Sequence, residues 1–124
     1  MNIAVGIYMF VHGFAHIVGF LVSWKLVNDK DTPYKTTILG GKLDLGDTGI
    51  RIMGILWLLT GIAFFLVTYG VIVQTGWWKT STLFITCFSL FISLIALPDT
   101  KYGVMANVLL LLFLWFAPAL GWLN

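Results

Sequence analysis

Charge is scarce in this chain: Asp, Glu, Lys and Arg make up 10% of its 124 residues, against 60% hydrophobic residues. Soluble domains carry about a quarter charged residues. A very apolar soluble helical bundle would still show one apolar stripe per helix, whereas these segments are apolar all round. Cysteine is almost missing too. With Cys87 alone there is no intrachain disulfide, no CxxC redox pair and no cysteine-based zinc site. The first apolar segment has no basic n-region, since only Met1, Asn2 and Ile3 lead into it, and no small-x-small site precedes Trp24. It is therefore expected to be a retained helix rather than a cleaved signal. A net charge of +2 is too small to argue for a nucleic-acid partner.

What is present is gathered into blocks. A bilayer core about 30 Å thick needs roughly 20 apolar residues per helix, and four stretches meet that length: about 3–24, 50–73, 78–97 and 102–122. Arg51 stands at the mouth of the second and Lys79 at the mouth of the third. The expected fold class is all-α, an integral membrane antiparallel four-helix bundle forming one domain over residues 1–124.

The Lys25–Gly49 loop is the only sizeable polar stretch. Within it, Gly40-Gly41 separates Lys35–Leu39 from Lys42–Leu45, a signal for a short β-hairpin, with an irregular loop as the alternative. A hairpin alone is marginal and would have to rest on the helix ends. Asp47-Thr48 offers an N-cap for the second helix, and Pro98-Asp99-Thr100 ends the third and caps the fourth. Gln74-Thr75-Gly76 makes the remaining turn.

Lys25, Lys30, Lys35, Lys42, Arg51 and Lys101 fall on one side of such a bundle and only Lys79 on the other. Asp29, Asp31, Asp44, Asp47 and Asp99 share the lysine-rich side, but orientation follows Lys and Arg rather than net charge. The expectation is a plasma (inner) membrane protein, multi-pass, with that side cytoplasmic and both termini outside. Trp24 and Tyr102 would mark the cytoplasmic interface, and Tyr69, Trp77, Trp78 and Trp122 the outer one. Trp57 and Trp115 fall deeper, where an indole N–H needs a partner.

The polar residues inside the spans carry the functional question. On the first helix Tyr8, His12, His16, Gly19 and Ser23 recur at spacings of four, four, three and four, which places them on one face. On the third, Thr82, Thr86, Ser89 and Ser93 make a similar stripe; the second presents Gly54, Gly61 and Thr60, and the fourth Gly103 and Asn107. Small and hydroxyl residues on a shared face mark helix contacts in membranes, so these stripes are expected to face inward. His16 and Asn107 should lie roughly 7 to 12 Å inside the cytoplasmic boundary, at 1.5 Å per residue. Ser93, Arg51, Asp99 and Lys101 belong near the same level. A polar pocket opening to the cytoplasmic side follows, with His12, His16, Arg51, Trp57, Ser93, Asp99, Lys101 and Asn107 as candidate ligand-binding residues.

Each of these residues also has a plainer role. The His12/His16 pair has the i, i+4 geometry of metal ligands, but the HExxH glutamate is missing and a third ligand would have to be Cys87, Asp99 or a methionine. Both histidines lie on one helix, so they cannot take opposite axial positions of one haem. Imidazoles titrate near neutrality and serve proton transfer or ligand hydrogen bonding. The commonest outcome is structural, bonding to Ser, Thr or Asn across the bundle. Arg51 either snorkels or pairs with Asp47 or Asp99 to lock the first and third loops. Asn107 needs a hydrogen-bond partner inside the span.

The segments His12-Gly-Phe-Ala-His16-Ile-Val-Gly-Phe20, Pro33–Thr37, Leu43–Asp47, Gly54–Leu58 and Asp99-Thr-Lys-Tyr-Gly-Val-Met-Ala-Asn107 resemble a group of small bacterial four-helix membrane proteins with no assigned activity. The general organisation is similar to DoxX-like proteins. Some DoxX-like proteins are linked to quinone or sulfur redox chemistry, which that resemblance extends to this chain as an expectation, while the closer group supplies no catalytic residues.

Three functional readings follow. The first is a non-enzymatic accessory, structural or assembly component, acting with a membrane-protein partner or as a homo-oligomer, and needing no cofactor. The second is a module that holds a quinone or other lipid-like ligand in the pocket. The third is a small transporter or proton pathway working as an oligomer.

Overall fold

A computed structural model of the chain describes residues 2–28, 33–97 and 99–121. Lys30, Asp29 and Asp31 of the charge count, Pro98 of the second turn and Trp122 of the aromatic belt lie outside the described residues. The elements are α1 (Asn2–Ser23), β1 (Thr37–Ile38), a 3₁₀ turn (Leu39–Gly41), β2 (Leu43–Asp44), α2 (Gly46–Val73), α3 (Trp78–Ile95) and α4 (Lys101–Phe116). The fold is helical, with four helices and one two-stranded sheet. Three of the helices, α1, α2 and α3, are long and apolar enough to cross a membrane.

The fourth is shorter than the sequence leads one to expect, with 16 residues ending at Phe116 rather than 122. At 1.5 Å per residue it is about 24 Å long. Pro118 has no N–H to continue the ladder. The chain leaves through turns in which Leu120 N–H bonds to the Phe116 carbonyl and Gly121 takes a left-handed φ of 74°.

Helix ends follow local backbone chemistry more than the expected caps. α1 stops in a Schellman arrangement: the Leu26 N–H reaches the Leu21 carbonyl at 2.8 Å and the Lys25 N–H the Val22 carbonyl at 2.9 Å, with Lys25 left-handed. α2 begins at Gly46, four residues before the expected position, and Asp47 is not its cap; Leu45 holds that place without a side-chain bond. Asp47 instead sits in the first turn, where a carboxylate suits the helix dipole. The hairpin is present but short. Thr37 pairs with Asp44 and Ile38 with Leu43, so the connection is wider than Gly40-Gly41 alone. Leu39, Gly40 and Gly41 all adopt positive φ there, which the two glycines accept without strain. The Asp44 carboxylate accepts the Gly46 N–H at 2.9 Å and closes the hairpin onto α2.

Consecutive helices run antiparallel. The closest approach is between α1 and α2, where Gly13 and Gly61 meet backbone to backbone. A Cβ on Gly13 would stand 2.9 Å from the Gly61 carbonyl oxygen, and one on Gly61 2.8 Å from that of Gly13. α3 packs along α4 and against α2, while α1 and α4 approach each other more loosely. Val5, Met9, Phe64, Val67, Val71, Trp78, Leu110 and Ala117 form an apolar core toward the end remote from the hairpin. Trp78 is buried in this core, and Trp115 faces outward at 79% exposure. Phe10, Phe14, Leu59, Phe84, Phe91 and Leu109 are exposed, so the outer surface is apolar and the interior holds the hydroxyls and imidazoles.

Two outcomes test this packing. Gly61→Val should destabilise the chain by about 1–3 kcal/mol, the usual cost of overpacking, in a denaturant titration of the detergent-solubilised protein; an unchanged midpoint would contradict the close seam. The Asp44 carboxyl is held below its ordinary value of 3.8 by the Gly46 N–H and then by the Thr36 side chain. Its contribution is thus present above that value and is lost as pH falls through the lowered one. The Gly46 amide resonance should titrate with a midpoint below 3.8, with the hairpin loosening there while the helices persist; a midpoint at or above 3.8 would contradict the bond.

Candidate functional site

The α1 and α3 stripes meet at the hairpin end of the molecule. His12, His16, Ser89, Ser93 and Asn107 are all buried there. The His16 Nδ1 lies 2.8 Å from the His12 carbonyl oxygen. A carbonyl only accepts, so this nitrogen carries the proton. Among the described residues no carboxylate stands near to balance an imidazolium in this apolar interior, which leaves the His16 Nε2 as an acceptor. Ser89 Oγ–H donates to it across 2.6 Å. The Ser89 oxygen in turn accepts the Asn107 Nδ2–H at 2.9 Å. The Asn107 Oδ1 then accepts from the His12 Nε2–H at 2.8 Å. The circuit closes through residue His12 itself and joins α1, α3 and α4.

Aromatic groups of α2 hold the imidazoles from the other side. The Phe64 ring centroid is 4.8 Å from His12 in an edge contact, and Trp57 is 5.2 Å from His16. Trp57 also covers Gly19, where a Cβ would meet its ring at 3.3 Å. Tyr8 adds a second bridge from α1 to α4, donating to the Ala106 carbonyl at 2.7 Å.

Beside the circuit lies a cavity of about 730 Å³ between α1, the start of α4 and the hairpin. Val11, Ala15, Val18, Met53 and Trp57 give it an apolar wall, His12 and His16 a polar floor, and Tyr34, Lys35, Asp99 and Lys101 its mouth. Lys35 reaches both Asp99 oxygens at 3.1 Å, and this ion pair ties the hairpin segment to the α3–α4 turn. Asp47 accepts the Tyr34 hydroxyl, which raises the Tyr34 phenol above its ordinary value, and lies 3.9 Å from the Lys25 ammonium.

Six of the eight residues singled out from sequence line this cavity: His12, His16, Trp57, Ser93, Asp99 and Lys101. Asn107 stands behind the wall as the link between His12 and Ser89. Arg51 does not join them. Its guanidinium lies 5.6 Å from the Trp24 ring centroid, and the Trp24 indole donates to the Arg51 carbonyl at 3.0 Å. The stitch between the first and third loops is made by Lys35 rather than Arg51. Lys35 and Tyr34 are not among the candidate site residues, because no spacing along the chain marks them for the cavity mouth. Spacing placed Ser89 on a stripe without marking its central role. Two buried hydroxyls, Thr86 Oγ1 and Ser93 Oγ, have no hydrogen-bond partner among the described residues, and of these Ser93 lines the cavity. Among the described residues no three His, Cys, Asp or Glu side chains converge on a metal position.

Comparison with protein families, with curated proteins and with solved structures returned no match.

Replacing Asn107 by Leu leaves the His12 Nε2–H without its acceptor, at a cost of about 1–3 kcal/mol. Ser89→Ala breaks the same circuit, so the two losses should fall short of additive in the double variant. Additive losses in a denaturant titration would contradict the closed circuit.

Proposed function

We propose that this chain is a small multi-pass membrane protein that binds an amphiphilic, lipid-like ligand without transforming it. The observation that carries the reading is the cavity itself. It pairs an apolar wall with a histidine floor, and it lies beside the loosely packed α1–α4 gap through which an acyl chain can pass sideways. Pockets for small molecules are mostly apolar with a few placed polar groups, and this one fits that description. The closed circuit gives the histidines a structural duty, holding α1, α3 and α4 in register, and this supports a non-catalytic role. It also argues against a proton pathway, because its polar groups return on themselves rather than continuing toward the apolar core.

In this reading the hairpin end faces the cytoplasm of the cell's inner membrane and both termini lie outside. Among the described residues Lys25, Lys35, Lys42, Arg51 and Lys101 belong to that end and Lys79 to the other. The DoxX-like resemblance adds quinones to the amphiphiles worth trying. A structural or assembly role with a membrane partner is the second reading, favoured by the engagement of both imidazoles in the circuit.

Native mass spectrometry of the purified protein should show a bound lipid-like mass. Ala106→Phe, which fills the cavity beside Tyr8, should remove that mass while leaving the fold intact by circular dichroism. A wild-type protein that carries no such mass, and whose melting temperature no amphiphile raises, would contradict the proposal.

A further inference from the structure

The mouth of the cavity contains more donors than its own side chains use. Thr100 holds the N-cap position of α4 yet makes no capping bond. Its hydroxyl donates back to the Ser93 carbonyl instead. The first-turn N–H groups of Lys101, Tyr102 and Gly103 are consequently left without a side-chain acceptor among the described residues. All three residues line the cavity. An independent feature stands beside them. Ser93 is 1% exposed, and its hydroxyl has no partner among the described residues. Ser93 lines the same cavity, and a Cβ on Gly103 would stand 3.4 Å from that hydroxyl. The absence of a side chain at Gly103 keeps the α4 backbone open next to it.

Charge at the mouth favours an anion. Asp99 is the nearest carboxylate, and Lys35 occupies both of its oxygens. Lys101 has no carboxylate partner among the described residues and lies 5.2 Å from the ring of its neighbour Tyr102. Further out, Asp47 is engaged by Tyr34 and Lys25. Backbone N–H groups at a helix start, a buried hydroxyl and an ammonium together make the donor set that an oxyanion requires.

We infer that the start of α4 seats the phosphate of an anionic lipid whose acyl chains lie along the apolar wall and leave through the α1–α4 gap. The inference rests on the amphiphile-binding reading above and names the headgroup for it. Ser93 and the first-turn amides donate to the phosphate oxygens, and Lys101 supplies the counter-charge.

The test uses the full chain in neutral detergent, with melting temperature and binding isotherms read against dioleoyl phosphatidic acid, dioleoylglycerol and inorganic phosphate. Phosphatidic acid should bind more tightly than dioleoylglycerol, which has the same tails and no phosphate. Ser93→Ala should weaken phosphatidic acid roughly tenfold, the loss of one hydrogen bond to a charged group. Lys101→Gln, an exposed change that cannot disturb packing, should weaken it roughly threefold. Both variants should weaken phosphatidic acid more than they weaken dioleoylglycerol. Equal binding of the two lipids, or a preference that survives both variants, would overturn the phosphate seat while leaving the amphiphile reading in place. Binding of neither lipid would remove both. A full stabilisation by inorganic phosphate, with nothing added by acyl chains, would overturn the lipid and leave a free oxyanion as the occupant.

Discussion

One backbone carbonyl sets the direction of the polar interior. Because the His12 oxygen only accepts, the His16 Nδ1 must donate to it, and every proton in the circuit takes its place in turn. Ser89 donates to His16, Asn107 donates to Ser89, and His12 donates to Asn107. No other arrangement of the same neutral groups satisfies all four contacts. Such a network is worth having only when complete, since a buried polar group left unpaired costs more than a made bond returns. The circuit therefore specifies which residues of α1, α3 and α4 face one another, and so fixes register as well as adding stability.

The rest of the architecture divides around it. At the remote end, Phe64, Met9, Val67 and Val71 fill an ordinary apolar core. Along the α1–α2 seam, Gly13 and Gly61 bring the backbones into contact. Toward the hairpin end α1 and α4 are held differently, although Val5 and Met9 of α1 share the remote core with Leu110 of α4. These helices are joined by long side chains, Tyr8 to Ala106 and His12 to Asn107, which hold them apart as well as together. The cavity is the space that spacing leaves, and the hairpin, tied down by Lys35 to Asp99, overhangs its mouth. The cavity thus follows from the same bonds that set the fold.

Much of this was legible in the sequence. Spacing of four along α1 and α3 put His12, His16, Ser89 and Ser93 on inward faces, because helical periodicity fixes the face a residue occupies, while Tyr8 of the same stripe is exposed. Asn107 was marked by the need of an amide for a partner in an apolar span. Less legible were features that depend on small local energies. The start of α2 moved to Gly46 because Asp44 accepts an amide that no cap motif announces. α4 ended at Phe116 because Pro118 outweighs the apolar composition beyond it. Of the two roles open to Arg51, snorkelling or a carboxylate pair, the pair is made by Lys35 instead, and Arg51 lies against Trp24. Long flexible side chains find partners by tertiary placement, and spacing along the chain carries no record of that.

The most direct test of the account is the nitrogen-15 spectrum of the two imidazoles in the detergent-solubilised protein at neutral pH. The circuit predicts two neutral rings of opposite tautomer, His12 with its proton on Nε2 and His16 with its proton on Nδ1, and predicts that Asn107→Leu shifts both. Identical tautomers, or an imidazolium at either position, would contradict it.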